Sequence, residues 1–560
     1  MKRPNNYVSL LSELTLMKKF ALSLFCLLAI LSCIQSQTVD STFGSNGFLP
    51  YGPTGNYVQN SGRGNRTAIQ PDGKIVVAMD LSDPNNNTDL WYYTFRYNAD
   101  GTPDSTFGTN GVSEIFAGTQ SKNRDVQVQS DGKIVVIGET EYCTNSVCGA
   151  PQFIMMRLKT NGDLDSTFGT NGQILTTDVF GSNGLFASPE RVVQAQNNKY
   201  IIGGRGIAGK PFVGRMNNNG TMDASFGTNG VFSDTAYAVL IDLIIDMSGN
   251  SYALLIKYNQ NDTINPSDSY VIKLNSNGVL DNTFGVGGRV IFNTANVEHP
   301  ASIAIRSDNK LVITGDSQPV YLTGFNDGYG ETNMGYILIL NPDGSASTIL
   351  PQGYRTLLVP GDTTTFICRV IITAGDNMLI SGKTITKIAG NFHEKAFIAY
   401  LDANGSLNPG FHSTGIMKFD YGMHSTIGSL ACFTDLDLLS NGDIIATGYR
   451  NPIAFNTLTS LFVLKLYNTN ISSPTSIYSL EKNLSPYNIY PNPGEGIFHI
   501  SVNNPSSIQN CRFEIYNTAG ECVLQKEIST EINLSNQPKG IYLLKIYNSG
   551  ELYYHKIIVQ

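Results

Sequence analysis

The chain has 560 residues, only 15% of them charged, and a formal net charge of −8. Such a length calls for several units or a repeat array, and mild acidity without a Lys/Arg cluster argues against a nucleic-acid partner. Abundant glycine (55), tyrosine (28) and phenylalanine (27) suit strands and tight turns and exclude a protein built of long helices.

Lys18 and Lys19 precede an apolar run from Phe20 to Leu31, then small and polar residues. This is the layout of a secretory signal, too short to span a bilayer comfortably. Residues 1–37 are therefore expected to be a signal peptide, with Met17 as the natural start and cleavage near Ser36 or Gln37. A rival reading makes Ile30-Leu31-Ser32-Cys33 a lipoprotein box acylated at Cys33. Either way the protein is exported. The segment carries Lys2, Arg3, Lys18 and Lys19 against Glu13, so taking its +3 from −8 leaves −11 on the remainder. No other segment could cross a membrane as a helix.

The body repeats. DSTFGSNG (40–47) recurs at 104–111, 165–172, 223–230 and 281–288, with weaker copies at 345–353 and 408–415. The anchors Phe43, Phe107, Phe168, Phe226, Phe284, Leu350 and Phe411 stand 58 to 66 residues apart. A second motif, AIQPDGKIVVAM (68–79), has seven copies, the last at 436–448. A third piece, such as FRYNADG (95–101), precedes each Phe-Gly motif, and its last copy, FVLKLYN (462–468), lacks the turn.

Asp72-Gly73 and Asp131-Gly132 between apolar runs are two-residue hairpin turns, because such pairs tolerate positive φ. One unit is thus strand, hairpin, strand, a variable insert, a third strand, a tight turn at Gly101, and a fourth strand ending near Phe-Gly. Runs such as Ile75–Ala78 are apolar on both faces, so both sides of each sheet must be covered. Radial stacking does this. The last unit stops at Asn468 without its Phe-Gly piece, whereas the chain begins with an unattached one at Asp40–Gly47. The expectation is an all-β, seven-bladed β-propeller over residues 38–468, closed by that N-terminal strand. The Q-x-D-G-K-I-V-V-x-G and D-x-x-F-G-x-x-G strings resemble the delta-60 repeat family over roughly residues 40–470. That resemblance implies a propeller and little about activity.

Residues 469–486 read as a polar linker. Beyond it, alternation with Asn-Pro, Ala-Gly and Ser-Gly breaks predicts some seven short strands over 487–560, a small β-sandwich. Tyr490-Pro491-Asn492-Pro493, IYNTAGECV with Gly520, Lys539-Gly540-Ile541-Tyr542 and the terminal Lys556-Ile557-Ile558-Val559 resemble the C-terminal sorting domain of type IX secretion cargo in Bacteroidetes-type bacteria. The resemblance implies the type IX secretion machinery as partner, two-step export, and a final place outside the cell or on the outer-membrane surface.

Of eight cysteines, Cys26 and Cys33 fall in the signal segment. Among the other six, disulfides are plausible in an exported protein. Cys143 and Cys148 share one loop, Cys511 and Cys522 flank a hairpin, and Cys368 and Cys432 each precede the first strand of a repeat. None has zinc spacing. Oxygens at Asn98, Asp100 and Asp104, and at Asn161, Asp163 and Asp165, admit calcium, but no closing Glu follows, and Asx turns explain them equally well. No cofactor is otherwise indicated. His393-Glu394 reads as an exposed polar pair rather than an acid/base dyad.

Long inserts follow the second and fourth strands and should share one face of the ring, where binding surfaces sit. The richest, 316–335, offers Tyr321, Phe325, Asp327 and Tyr329. Trp91 opens the third strand of the first unit, as ligand platform or as packing between blades. The expected function is non-enzymatic binding of an extracellular glycan or protein. The alternative is a polysaccharide hydrolase or lyase with acids converging at the ring centre.

Overall fold

The computed structural model describes residues 39–467 and 487–560, apart from 46, 50–65, 84–85, 142, 145–146, 149–150, 176–187, 207–208, 259–266, 293–295, 320–332, 389–390, 421–429, 452–459, 493, 503–510, 518–521, 528–530 and 549–550. Two compact units divide at Thr475 and Ser476. No helix among the described residues is long and apolar enough to cross a membrane.

Among its described residues the larger unit holds six four-stranded antiparallel meanders, a three-stranded seventh sheet and a two-residue ladder inserted in the second. The first sheet runs Arg66–Ile69, Ile75–Asp83, Asn86–Tyr97 and Val112–Ile115. The first strands of the other six are Gln120–Val128, Ser188–Gln194, Val239–Ile245, Asn296–Ile305, Thr364–Ile372 and Leu430–Leu438. The first strands of successive sheets lie side by side.

Adjacent residues of one strand serve different cores. Val76 and Ala78 pack with Val126, Val128 and Ile134 of the second sheet. Ile75 and Val77, pointing the other way, pack with Ile445 and Val463 of the seventh sheet and with Phe43. All four are at most 1% exposed. Full burial of such a side chain stabilises by about 1.5–3 kcal/mol, which is why period-two alternation of polar and apolar residues is missing from these strands.

The Phe-Gly motif corrects one expectation. It is a turn that precedes the fourth strand, not the end of that strand. Beyond Gly101 the chain makes only an isolated bridge, Tyr97 with Pro103, before turning at Asp104–Gly111 and entering Val112–Ile115. Asp104 organises the turn. Its Oδ1 accepts the Thr106 N–H (3.0 Å) and hydroxyl (2.6 Å), and its Oδ2 accepts Arg96 Nε (2.7 Å). The Arg96 guanidinium covers the Phe107 ring at 4.5 Å and donates to the Thr160 carbonyl of the next sheet. Asp165 with Arg157 over Phe168, and Asp223 with Arg215 over Phe226, repeat the device. The repeat signature is therefore an ion-paired, cation-capped joint between sheets.

The N-terminal copy joins the seventh sheet. Val39 bridges Leu466 and Phe48 bridges Leu464. Asp40 pairs with Lys465 at 3.3 Å, and the Gly44 N–H donates to the Asp100 carbonyl of the first sheet, as Gly108 does to Asn161.

Among its described residues the smaller unit has seven strands in two antiparallel sheets. One holds Tyr487–Tyr490, Ile497–Val502 and Glu531–Asn533; the other holds Cys511–Tyr516, Cys522–Glu527, Gly540–Asn548 and Glu551–Val559. Phe498, Phe513, Ile515, Leu544, Ile546 and Ile557 form their shared core.

Candidate functional site

Among the described residues, six of the seven first strands carry a β-bulge four residues before their last residue: at Arg124, Glu190, Ile241, Ala301, Cys368 and Thr434. A bulge re-aims the side chains around it. It also explains the glycine ending several copies of the hairpin motif. A Cβ on Gly382 or Gly448 would meet the Phe366 or Cys432 carbonyl oxygen at 1.9 Å, so only glycine lets the bulged backbone approach.

The residue after each bulge, with its counterpart in the first sheet, forms a belt: Arg66, Asp125, Arg191, Asp242, Ser302, Arg369 and Asp435. Arg191 Nε donates to Asp242 Oδ1 at 2.7 Å. Arg369 lies 3.3 Å from Asp242 of the fourth sheet and 3.2 Å from Asp435 of the seventh, so the charges converge on one centre. Arg66 reaches Asp435 at 3.4 Å. Ser302 donates to Asp242 Oδ2 at 3.0 Å.

Each aspartate also stitches backbone. Asp125 Oδ2 accepts the Val192 N–H, Asp242 Oδ2 the Ile303 N–H and Asp435 Oδ2 the Thr67 N–H, each from the following sheet, the last from the seventh to the first. Their Oδ1 atoms accept the next N–H of their own strand. Burial disfavours charge on Asp242, yet Arg191 and Arg369 outweigh it and hold its pKa at about 2. Asp125 goes the other way: burial raises it despite Arg191 and Arg66. Burial and the Arg191 charge lower Arg66, while Asp242 and Asp125 raise Arg191 against the effect of burial.

Beyond the belt, towards the start of the first strands, lie three polar groups. Arg124 Nη2 donates to Glu139 Oε1 at 2.5 Å and sits 3.6 Å from Glu190; Ser188 also donates to Glu139. Lys383 Nζ meets Glu394 Oε1 at 2.6 Å. His299 Nδ1 lies 3.1 Å from Asp316 Oδ2, which also accepts from Asn333 at 2.9 Å. Burial raises Glu190 and Glu394 above the ordinary carboxylate range, against their cationic partners. The hydrogen bond to Asp316 raises His299.

Two family models match. A secretion system C-terminal sorting domain covers residues 488–560. A β-propeller domain of unknown function, DUF5122, covers 70–107, 129–168 and 261–284. This is a β-propeller protein with a type IX sorting tail. It is secreted and carried to the cell surface by that route. No curated protein sequence matches the chain. Among solved structures, the propeller protein is similar to polysaccharide lyase Uly1, with 10% identity over 77% of this chain and 96% of the other, at a TM-score of 0.41. It is also similar to the α-L-arabinofuranosidase Arb93A from Fusarium graminearum, with 8% identity over 77% and 97% at 0.33. The Pyrococcus horikoshii acylaminoacyl peptidase follows, with 10% identity over 80% and 57% at 0.36. Likenesses at this level carry no argument about activity.

The propeller's expected loop ligands Tyr321, Phe325, Asp327 and Tyr329 lie outside the described residues. Trp91 packs against the apolar cluster shared by the first and seventh sheets and meets Phe116 edge-on at 5.3 Å. His393 and Glu394, expected to be exposed, are 3% and 1% exposed, because their strand is covered on both faces. Among the described residues no group of three or more His, Cys, Asp or Glu is gathered for a metal. Asp100 accepts the Thr102 N–H and hydroxyl, and Asp163 bonds Asn161, as Asx turns do.

In the sorting domain, Asn492 Oδ1 accepts the Ile558 N–H at 2.9 Å, and Gly494 exchanges backbone hydrogen bonds with Ile558 and Gln560. The Pro-Asn-Pro turn and the chain terminus are thus one joint. Pro491 follows a cis bond; Pro493 and Gly520 lie outside the described residues. Lys539 and Gly540 are exposed, and Tyr542 is buried with its hydroxyl on the Pro538 carbonyl. Cys143 is disulfide-bonded and stands opposite Cys148. The expected Cys511–Cys522 pair is corrected: Cys522 is free and faces Tyr516, while Cys511 faces Asn548 at the far end of the same hairpin.

The belt escaped the sequence reading. Its signal is a position six residues before each hairpin turn residue (Arg66 before Asp72, Asp125 before Asp131, Asp435 before Asn441), read across copies rather than along the chain.

Proposed function

We propose that the protein is a surface-displayed, non-enzymatic binding module. In this reading residues 1–37 are its signal peptide, 38–468 a closed seven-bladed propeller, 469–486 a linker and 487–560 the sorting domain. The long loops between sheets take an extracellular glycan or protein.

One observation carries the reading. Asp242 and Asp435, the two best-placed acids of the belt, are engaged at both oxygens: Asp242 holds a guanidinium and a backbone N–H on each, and Asp435 holds two guanidiniums and an N–H on Oδ1 and the Thr67 N–H on Oδ2. Carboxylates so engaged hold sheets together and leave recognition to the loops around them. Seven is an odd number, so charges cannot alternate around a closed ring without one neutral member. The belt reads plus, minus, plus, minus, neutral, plus, minus, with Ser302 in the neutral place, which supports closure of seven sheets.

The test is a panel of glycans and matrix proteins offered to the mature chain, with product release followed in parallel. Saturable binding without turnover is expected; turnover overturns the reading.

A second reading, a polysaccharide hydrolase or lyase acting at the ring centre, is favoured by the raised pKa of half-buried Glu190 and buried Glu394, a property of general acids. It requires that Glu190→Gln or Glu394→Gln abolish product release.

A further inference from the structure

Cys368 and Cys432 belong to first strands of neighbouring sheets, the sixth and the seventh, and their sulfurs stand 3.3 Å apart. Both are free thiols. Three other links hold the two sheets in place around them. Arg369, the next residue after Cys368, pairs with Asp435 at 3.2 Å. The Ser381 hydroxyl donates to the Phe433 carbonyl at 3.4 Å. Phe433 and Ala431, flanking Cys432, share an apolar cluster with Leu379 and Ala396 of the sixth sheet. The approach of the sulfurs is therefore set by the scaffold and not by the flexibility of either side chain.

The protein is delivered outside the cell, where thiols that meet become disulfides. Competing partners are few: among the other described cysteines Cys143 is already bonded and stands opposite Cys148, and Cys511 and Cys522 lie in the sorting domain. We propose that Cys368 and Cys432 form a disulfide that staples the sixth sheet to the seventh, the sheet that receives the N-terminal strand.

The chemistry is thiol–disulfide exchange with a disulfide-bearing oxidant of the export compartment. Cys368 is half-buried and Cys432 buried, which sets the order. The Cys368 thiolate attacks one oxidant sulfur, and the oxidant's S–S bond breaks, leaving a mixed disulfide and one oxidant thiolate. Cys432 then gives up its proton and attacks the Cys368 sulfur. The second oxidant sulfur departs with the electron pair, so the oxidant leaves as a dithiol and the protein has lost two protons and two electrons. The contact with Cys432 and the charge of Lys383 lower the Cys368 thiol against the effect of burial, suiting it to the first attack.

The test uses the full chain recovered from outside the cell. Free thiols are blocked with an alkylating agent under denaturing conditions, and the digest is read by mass spectrometry. The expected result is a linked pair of peptides carrying Cys368 and Cys432, both alkylatable only after reduction. In Cys432→Ser, Cys368 should become alkylatable without reductant, and the part of the thermal midpoint that reductant removes from the wild type should shrink. Alkylation of both residues in the unreduced wild type, or a link from Cys368 to another cysteine, overturns the proposal. If Cys432→Ser does not accumulate, the wild-type digest alone decides.

Discussion

Lys465 lies 3.3 Å from Asp40, so a residue near the end of the propeller's last described strand is ion-paired to one near its first described residue. The same cation sits 6.0 Å from the centroid of the Phe43 ring. Arg96 with Asp104 and Phe107 is the same arrangement made from residues close in the chain. The N-terminal segment is thus bonded as an ordinary repeat piece supplied from elsewhere.

Phe43→Ala should therefore destabilise the propeller as much as Phe107→Ala. Both rings are fully buried, and such truncations cost about 3–5 kcal/mol. Thermal unfolding of the two variants should give similar falls in midpoint. A near-neutral Phe43→Ala would mean that the N-terminal piece is dispensable.

Stability should fall in acid, in part through Asp242. Its folded pKa of about 2 is below the usual 3.8, so the unfolded chain binds the proton more tightly. The contribution, about 2 kcal/mol, is complete above pH 4 and is lost as the pH drops towards 2. Asp125, raised by burial, acts in the opposite sense. The gap in thermal midpoint between wild type and Asp242→Asn should be widest near neutrality and should narrow below pH 3.

Ser302 tests the parity of the belt. Ser302→Ala removes one hydrogen bond to Asp242 and should cost about 1 kcal/mol. Ser302→Asp sets a second carboxylate against Asp242 and should cost several-fold more, with partial recovery at low pH. Equal effects of the two variants would show that charge order around the centre is unimportant.

Gly101 tests the joint between the N-terminal turn and the first sheet. It has φ +83°, and a Cβ there would meet the Gly44 nitrogen at 2.6 Å. Gly101→Ala should cost on the order of 1–3 kcal/mol, read as a lower unfolding midpoint. Gly73→Ala, where the nearest atom is 3.6 Å away at φ +83°, should carry only the backbone part of that cost.

Deleting residues 487–560 should leave the propeller inside the cell envelope. Fractionation with protease shaving of intact cells measures this. Surface delivery of the shortened chain would remove the export role from the sorting domain.

Much of this molecule was legible from order along the chain. Seven hairpin motifs, the Phe-Gly copies and the change of pattern after Asn468 foretold the sheets and the second unit, because strands and turns depend on neighbours a few residues away. The double-sided apolar runs foretold that each sheet would be covered on both faces. Contacts between copies were not legible. Arg66, Asp125 and Asp435 look like surface residues singly, and only the gathering of the first strands draws them, half-buried or buried, into one belt. His393 and Glu394 are buried where the sequence predicts exposure for the same reason, since burial of a polar pair depends on what the next sheet lays over it. The approach of the Cys368 and Cys432 sulfurs, and the separation of Cys511 from Cys522, were likewise decided by register and by packing between sheets. Sequence spacing sets the local period, whereas the meeting of distant side chains is set by how the periods stack in space.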